Sequence, residues 1–145
     1  MADARNRVEF EGNYHHPEQT FKIDNSTIVY DSTKALGAAT TMIGKAVSLS
    51  ADDTVQLASD AEAVVGRLER VESDNKCVVR TFGFMELPGG DSATVTRGTA
   101  IVGALGAASA KGYIRSAASG TAAELIKCRG RIIRNGTHTA IVVHL

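Results

Sequence analysis

The sequence predicts an all-β chain: a small β-barrel or β-sandwich carrying an extended N-terminal arm. Three observations lead there. Short apolar segments alternate with polar residues at a period of two, the signature of half-buried strands. Turn residues separate these segments at intervals of roughly 8 to 12 residues, the rhythm of sandwiches and small barrels. The apolar share of 43% lies largely in Ala and Val, with no Trp and 5% aromatics, so the core is expected to rest on many small contacts and to draw part of its stability from a subunit interface.

Residues 1–19 show no sustained period and are read as the arm, ordered when it meets a partner. Within it Val8 and Phe10 alternate with charged neighbours, a short strand in search of an edge, before Gly12, Asn13 and Pro17 break the pattern. Residues 20–145 are read as the barrel or sandwich domain. Phe21 and Ile23 alternate with polar neighbours, Asn25-Ser26 makes a turn, and Thr27 to Tyr30 is the next expected strand. Ala46 to Leu49 and Thr54 to Leu57 flank Ala51-Asp52-Asp53 as a hairpin. Strands are then expected over Val64 to Val71 and Cys77 to Phe84, with a turn at Ser73-Asp74-Asn75 between them and firm punctuation at Leu87-Pro88-Gly89-Gly90.

The second half repeats this rhythm. Gly98 to Val102 is similar to Gly44 to Val47 in placing a glycine just before a strand, and Gly112 to Arg115 stands where Val55 to Leu57 stood. Glu124 to Ile133 is read as one long strand matching Val64 to Val71, with Gly130 placed like Gly66. Asn135-Gly136 signals a hairpin, and Thr139 to Leu145 closes the chain as a strand. The half-to-half similarity is loose and is not read as a true repeat. The Ala-rich stretches Ala35 to Met42 and Val102 to Ala110 are left as short helical turns or broad loops.

Charge narrows the partners. Sixteen basic and sixteen acidic residues give zero formal net charge, whereas a nucleic-acid binder draws most of its affinity from a basic surplus or stripe. Arg129, Arg131 and Arg134 nearly alternate and read as the solvent face of a strand. Zero net charge also removes self-repulsion between copies in a crowded array. No apolar run is long enough to cross a membrane as a helix, and the polar N-terminus does not read as a signal peptide. Cys77 and Cys128 are therefore expected as reduced thiols that act as small core hydrophobes.

The search for chemistry finds no catalytic residue, no metal site and no cofactor. No serine lies in a nucleophile elbow. Gly37 to Lys45 has six residues between its glycines where a phosphate loop has four, and Ala46 stands where the metal-binding hydroxyl belongs. His15 and His16 point opposite ways in an extended segment, and His138 and His144 are about 20 Å apart along a straight strand. Asp52, Asp53 and Asp60 offer too few oxygens for calcium, and Asp52-Asp53 reads as turn chemistry. Compact trimeric β-fold nucleotide hydrolases have a similar length, but Gly112 to Ser116 lacks the acid their substrate loop needs after its Tyr.

A resemblance adds to this reading. Gly44-Lys45-Ala46-Val47-Ser48-Leu49, Thr54 to Leu57, Val64 to Leu68, Val78-Val79-Arg80 and Glu86-Leu87-Pro88 together resemble small head decoration (cement) proteins of tailed bacteriophages. Arg97 to Val102, Gly112 to Ile114 and Ala140 to Leu145 extend the resemblance over about residues 40 to 145. It implies a β-barrel or sandwich on the outer capsid surface of the virion, a homotrimer that clamps major capsid proteins after the shell expands, with no active site. On that reading the arm reaches the capsid through Val8, Phe10, Tyr14, His15 and His16, with Val8 and Phe10 adding a strand to an exposed edge. The competing readings are another phage component, of the head-completion or tail kind, and a ligand-binding or enzymatic β-barrel, which needs a concave pocket with convergent polar groups.

Overall fold

The computed structural model describes residues 18–91, 95–118, 120–134 and 138–143. With 42% of the described residues in strands and 6% in helix, the all-β class holds. Strands β1 (Glu18–Ile23), β2 (Ala46–Ala51), β3 (Thr54–Leu57), β4 (Gly66–Glu72) and β5 (Lys76–Arg80) are followed by β6 (Gly83–Pro88), β7 (Ile101–Ala104) and β8 (Tyr113–Ser116). A short helix, α1 (Ala122–Leu125), precedes β9 (Gly130–Ile132) and β10 (His138–Val143).

The first five strands close on themselves as a barrel in the order β1-β3-β2-β4-β5. All neighbours are antiparallel except β1 and β3, which meet in parallel at Lys22–Thr54 and Ile23–Val55. Alternation decides what fills the ring: Val55 and Leu57 of β3, Leu68 and Val71 of β4, and Val47, Cys77 and Val79 pack with Ile23, Ile28 and Ala38 in one core. The β2–β3 turn at Asp52-Asp53 forms as expected, with Asp53 at φ +55°. The β4–β5 turn is likewise in place, with Asn75 at φ +60°; Asn and Asp are the non-glycine residues best suited to that region.

The remaining strands repeat the plan. β6-β10-β9 and β7-β8 are joined by two single bridges, Gly89–Ile114 parallel and Ala100–Arg131 antiparallel. Together these give a second ring, β6-β8-β7-β9-β10, with the same senses of pairing. The registers coincide as well. Ile23–Val55 corresponds to Gly89–Ile114, Ala46–Arg67 to Ala100–Arg131, Val47–Leu57 to Ile101–Ser116, and Gln19–Val79 to Met85–Ile141. Closing hydrogen bonds match too. The Gly44 N–H donates to Leu68 C=O at 2.8 Å, and Gly98 N–H to Ile132 C=O at 2.7 Å. Leu68 N–H reaches Lys45 C=O, and Ile132 N–H reaches Thr99 C=O, both at 2.9 Å. Gly44 and Gly98 share φ +85°. The loose similarity between the halves therefore accompanies one ladder used twice, and the sequence reading that denied a true repeat is corrected at the level of backbone pairing.

The second core joins the rings. Met85, Leu87, Ile101, Ile114 and Ile132 of the second ring pack with Ala46, Ala58 and Val64 of the first.

Four expected strands change shape. Thr27 to Tyr30 is not a strand, because the Asp24 carboxylate accepts from the N–H groups of Ser26, Thr27 and Ile28 and takes donors that a ladder would need. Cys77 to Phe84 is broken at Thr81 and Phe82, where Gly83 (φ +92°) redirects the chain from the first ring into the second. Val64 and Val65 precede β4 rather than belonging to it. Glu124 to Ile133 is not one strand: Glu124 and Leu125 end α1, and only Gly130–Ile132 is extended. The Ala-rich stretches resolve as turns over 35–42, and as the end of β7 plus a 3-10 turn at Ala107–Ser109.

Ring closure requires close approach at Gly66, where an added Cβ would lie 2.0 Å from the Arg80 carbonyl oxygen. Gly66→Ala is expected to lower unfolding stability by about 1–3 kcal/mol in urea titration, the usual cost of overpacking. Gly120→Ala, where nothing lies within 4 Å, should stay within about 0.5 kcal/mol of the parent.

Candidate functional site

The residues assigned to capsid contact from the sequence, Val8, Phe10, Tyr14, His15 and His16, lie outside the described residues, as does His144. Their point of attachment does not. β1 begins at Glu18 and is laddered to β5 over Glu18–Lys22, while β3 meets it at Lys22 and Ile23 alone. Among the described residues the Glu18–Phe21 edge facing away from β5 has no strand partner.

The acidic candidates do not converge. Asp52 and Asp53 sit in the β2–β3 turn, whereas Asp60 is held by Arg115, its Oδ1 accepting from Nε at 2.9 Å. Among the described residues no group of three potential metal ligands gathers. Arg115 also donates to Glu124 from Nη1 at 3.0 Å and from Nη2 at 2.8 Å. The guanidinium hydrogen bonds hold the Glu124 carboxyl down at about 2, aided by the Ala118 N–H. This clamp ties α1 to β8 and to the loop after β3, which explains why a segment read as strand is pulled into a helical turn.

The thiols divide. Cys77 is fully buried, and burial pushes its pKa up to about 12. Cys128 is only half-buried, its Sγ–H donating to Glu124 C=O at 3.2 Å, and burial raises its pKa too. The expectation of a core hydrophobe thus fits Cys77, while Cys128 lies nearer the surface. Arg129, Arg131 and Arg134 are all exposed, although only Arg131 lies in a strand, and Arg134 pairs with Glu86 at 3.1 Å.

The described surface includes two hollows of similar size. One, of about 480 Å³, is lined by Tyr30, Lys34, Val71, Glu72 and Asp74 among others, and its charges are mixed. The other, of about 410 Å³, opens where the rings meet and is the candidate site. Its walls come from the loop before β2 (Thr40, Thr41, Ile43, Gly44, Lys45), from β4 (Arg67), from β6 (Glu86, Pro88) and from the β7–β8 connection (Ala110, Lys111, Tyr113). Lys45, Arg67 and Lys111 supply three cations. The single carboxylate, Glu86, is engaged by Arg134.

Three glycines shape this groove. A Cβ on Gly44 would lie 3.1 Å from Arg67 Nη2, one on Gly106 would lie 2.5 Å from the Tyr113 ring, and one on Gly112 would lie 2.7 Å from Lys45 Cβ. Each glycine therefore makes room for one lining side chain. The Lys45 ammonium rests 3.8 Å from the Tyr113 ring centroid, a cation–π contact that positions the charge without neutralising it. Arg67 gives Nη1 to both Glu69 oxygens, at 2.8 and 3.0 Å, while its buried Nε has no hydrogen-bond partner. Glu69 is also 3.3 Å from Arg80 Nε, so two guanidiniums share one carboxylate and a positive charge is left over. Sequence reasoning missed the groove because its members lie in four separate segments.

Comparison with known protein families, with curated proteins and with solved structures gave no match to this chain.

Two outcomes test the local chemistry. Brief alkylation of the native protein should modify Cys128 and leave Cys77 unlabelled until denaturant is added, as read by mass spectrometry of the two peptides. Burial raises the Asp24 carboxyl, but the donors of Thr27, Ile28 and Ser26 outweigh it and keep it below its ordinary range. Its stabilising effect is thus complete above the unfolded value of about 3.9 and is lost as pH falls through the lower folded value. Asp24→Asn should lower stability at pH 7 and flatten the acid limb of the stability–pH curve; an unchanged acid limb would contradict this role.

Proposed function

We propose that this chain is a non-enzymatic structural protein of a phage virion. It binds the outer capsid surface as a homotrimer and stabilises the expanded head by bridging neighbouring major capsid proteins.

The observation that carries this reading is where the segments of the resemblance fall. Ala46 to Leu49 lies in β2, Thr54 to Leu57 is β3, Gly66 to Leu68 opens β4, Val78 to Arg80 ends β5 and Glu86 to Pro88 ends β6. Most of the similarity thus falls on consecutive strands of a closed barrel and the entry to the second ring, with Gly44-Lys45, Val64-Val65 and Arg97 to Thr99 in the segments that lead into strands. Mechanics support the same reading. The arm runs directly into β1, a strand laddered to β5 over five residue pairs, so tension on the arm would load a row of backbone hydrogen bonds in parallel. Many modest contacts of this kind, repeated over a lattice, add up through multivalency. Exposed apolar side chains such as Phe84, 68% accessible, and Ile126, 83% accessible, provide surface for contacts between copies.

The test mixes purified protein with undecorated expanded heads and follows co-sedimentation. The full chain should pellet with the heads saturably, at a fixed ratio to the major capsid protein. A variant lacking residues 1–17 keeps β1 whole; it should fold and oligomerise as the parent does but remain in the supernatant. A full chain that stays in solution contradicts the capsid reading, and undiminished pelleting of the truncated chain contradicts the role of the arm.

A further inference from the structure

We infer that the groove between the rings is a binding site for an acidic peptide segment of a partner protein, with Lys45 and Lys111 as its principal anion contacts and Arg67 at its base. This stands apart from the capsid reading: the site's chemistry is the same whichever protein carries the segment.

The scaffold itself argues that Lys45 and Tyr113 are not structural. Because the rings share one register, the groove positions in or beside the paired strands have counterparts in the other ring. Gly44 and Arg67 correspond to Gly98 and Arg131, and there the match is kept: Arg131 Nη1 donates to Gly98 C=O at 3.3 Å, just as Arg67 lies against Gly44. Lys45 corresponds to Thr99 and Tyr113 to Thr54, whereas Lys111 lies in a β7–β8 connection far longer than the β2–β3 turn and has no counterpart there. The same strand framework is thus built elsewhere with neither a lysine nor an aromatic ring at these two positions. Lys45, joined by Lys111 from the longer connection, makes this side cationic within a chain of zero formal net charge.

The lining selects among anions. Lys111 is exposed, and Lys45 is held by Tyr113 instead of by a carboxylate, so both ammonium groups are available for an incoming anion. Thr40 and Thr41 add hydroxyl groups, and Ile43, Pro88 and Ala110 add apolar surface between the charges. Carboxylates spaced by apolar side chains match that mixture better than a bare inorganic anion does. A compact triad of cations is also unlike the long basic track that a nucleic-acid backbone requires. A volume of about 410 Å³ lies within the usual range for small ligand sites, and a junction between folding units is a common place for one.

The probe is a fluorescent hexapeptide of alternating Glu and Leu, titrated with the intact chain and followed by anisotropy at low and at physiological salt. Binding should be saturable and should weaken as salt rises. Lys45→Glu with Lys111→Glu should weaken it by about tenfold or more. Lys22→Glu with Lys76→Glu makes the same change in net charge away from the groove and should leave affinity within about twofold. Circular dichroism of each variant separates loss of binding from loss of fold, and Lys111→Glu alone, at an exposed site, should still weaken binding. Inorganic phosphate should displace the peptide only weakly, and a single-stranded oligonucleotide should not compete. Absence of peptide binding, an equal loss in both double variants, or displacement by the oligonucleotide at lower concentration than by unlabelled peptide would overturn the assignment.

Discussion

The structure depends on the closure of a five-stranded ring at the crossing of β2 and β4. That junction is short, with pairing at Ala46–Arg67 and Val47–Gly66 only. It is completed by backbone bonds just outside the strands, from Gly44 to Leu68 and from Leu68 back to Lys45. On its other side β4 meets β5, where a side chain at residue 66 would collide with the Arg80 carbonyl, so β4 enters the junction with bare backbone. Glycine, by removing the Cβ, allows the approach. The remainder of the barrel follows from ordinary alternation, since once the ring is closed the inward positions of each strand have nowhere to go but the shared core.

The same closure occurs a second time, and it explains how much of the molecule was legible in its sequence. Strands with clean alternation, such as Thr54–Leu57, and hairpins with Asp or Asn at the turn were readable because period and turn chemistry agreed. The repeat was only half visible. What the two rings hold in common is a backbone ladder, and a ladder constrains few side chains: a small residue at Ala46 and Ala100, glycine at residues 44 and 98, glycine at 66 and 130, and an aliphatic at Leu68 and Ile132. The segments that were misread fail for local reasons. Asp24 draws the following N–H groups onto its carboxylate, and the Arg115 clamp recruits Glu124 into a helical turn, so in both places a polar side chain overrides the strand pattern. The candidate groove was invisible because no sequence window contains Lys45, Arg67 and Lys111 together.

The two proposals rest on two different regions of the chain. The proposed capsid role uses the arm and the mechanical continuity between it and the first ring. The inferred peptide site uses the seam between the rings, where small residues let charged and aromatic side chains converge. Duplication makes the second region interpretable: two copies of one strand framework, with Lys45 and Tyr113 at positions that are Thr99 and Thr54 in the other copy, separate what the fold needs from what has been added to it.

Native-state amide hydrogen exchange tests the central claim, that one ring is built twice, most directly. The closing amides of the first ring, Asp24, Gly44 and Leu68, have counterparts in Gly90, Gly98 and Ile132 of the second, each donating to the equivalent carbonyl. The account predicts strong protection at all six, with the members of each pair exchanging at comparable rates. Protection confined to Asp24, Gly44 and Leu68, with Gly90, Gly98 and Ile132 exchanging at the rates of an unstructured chain, would contradict it.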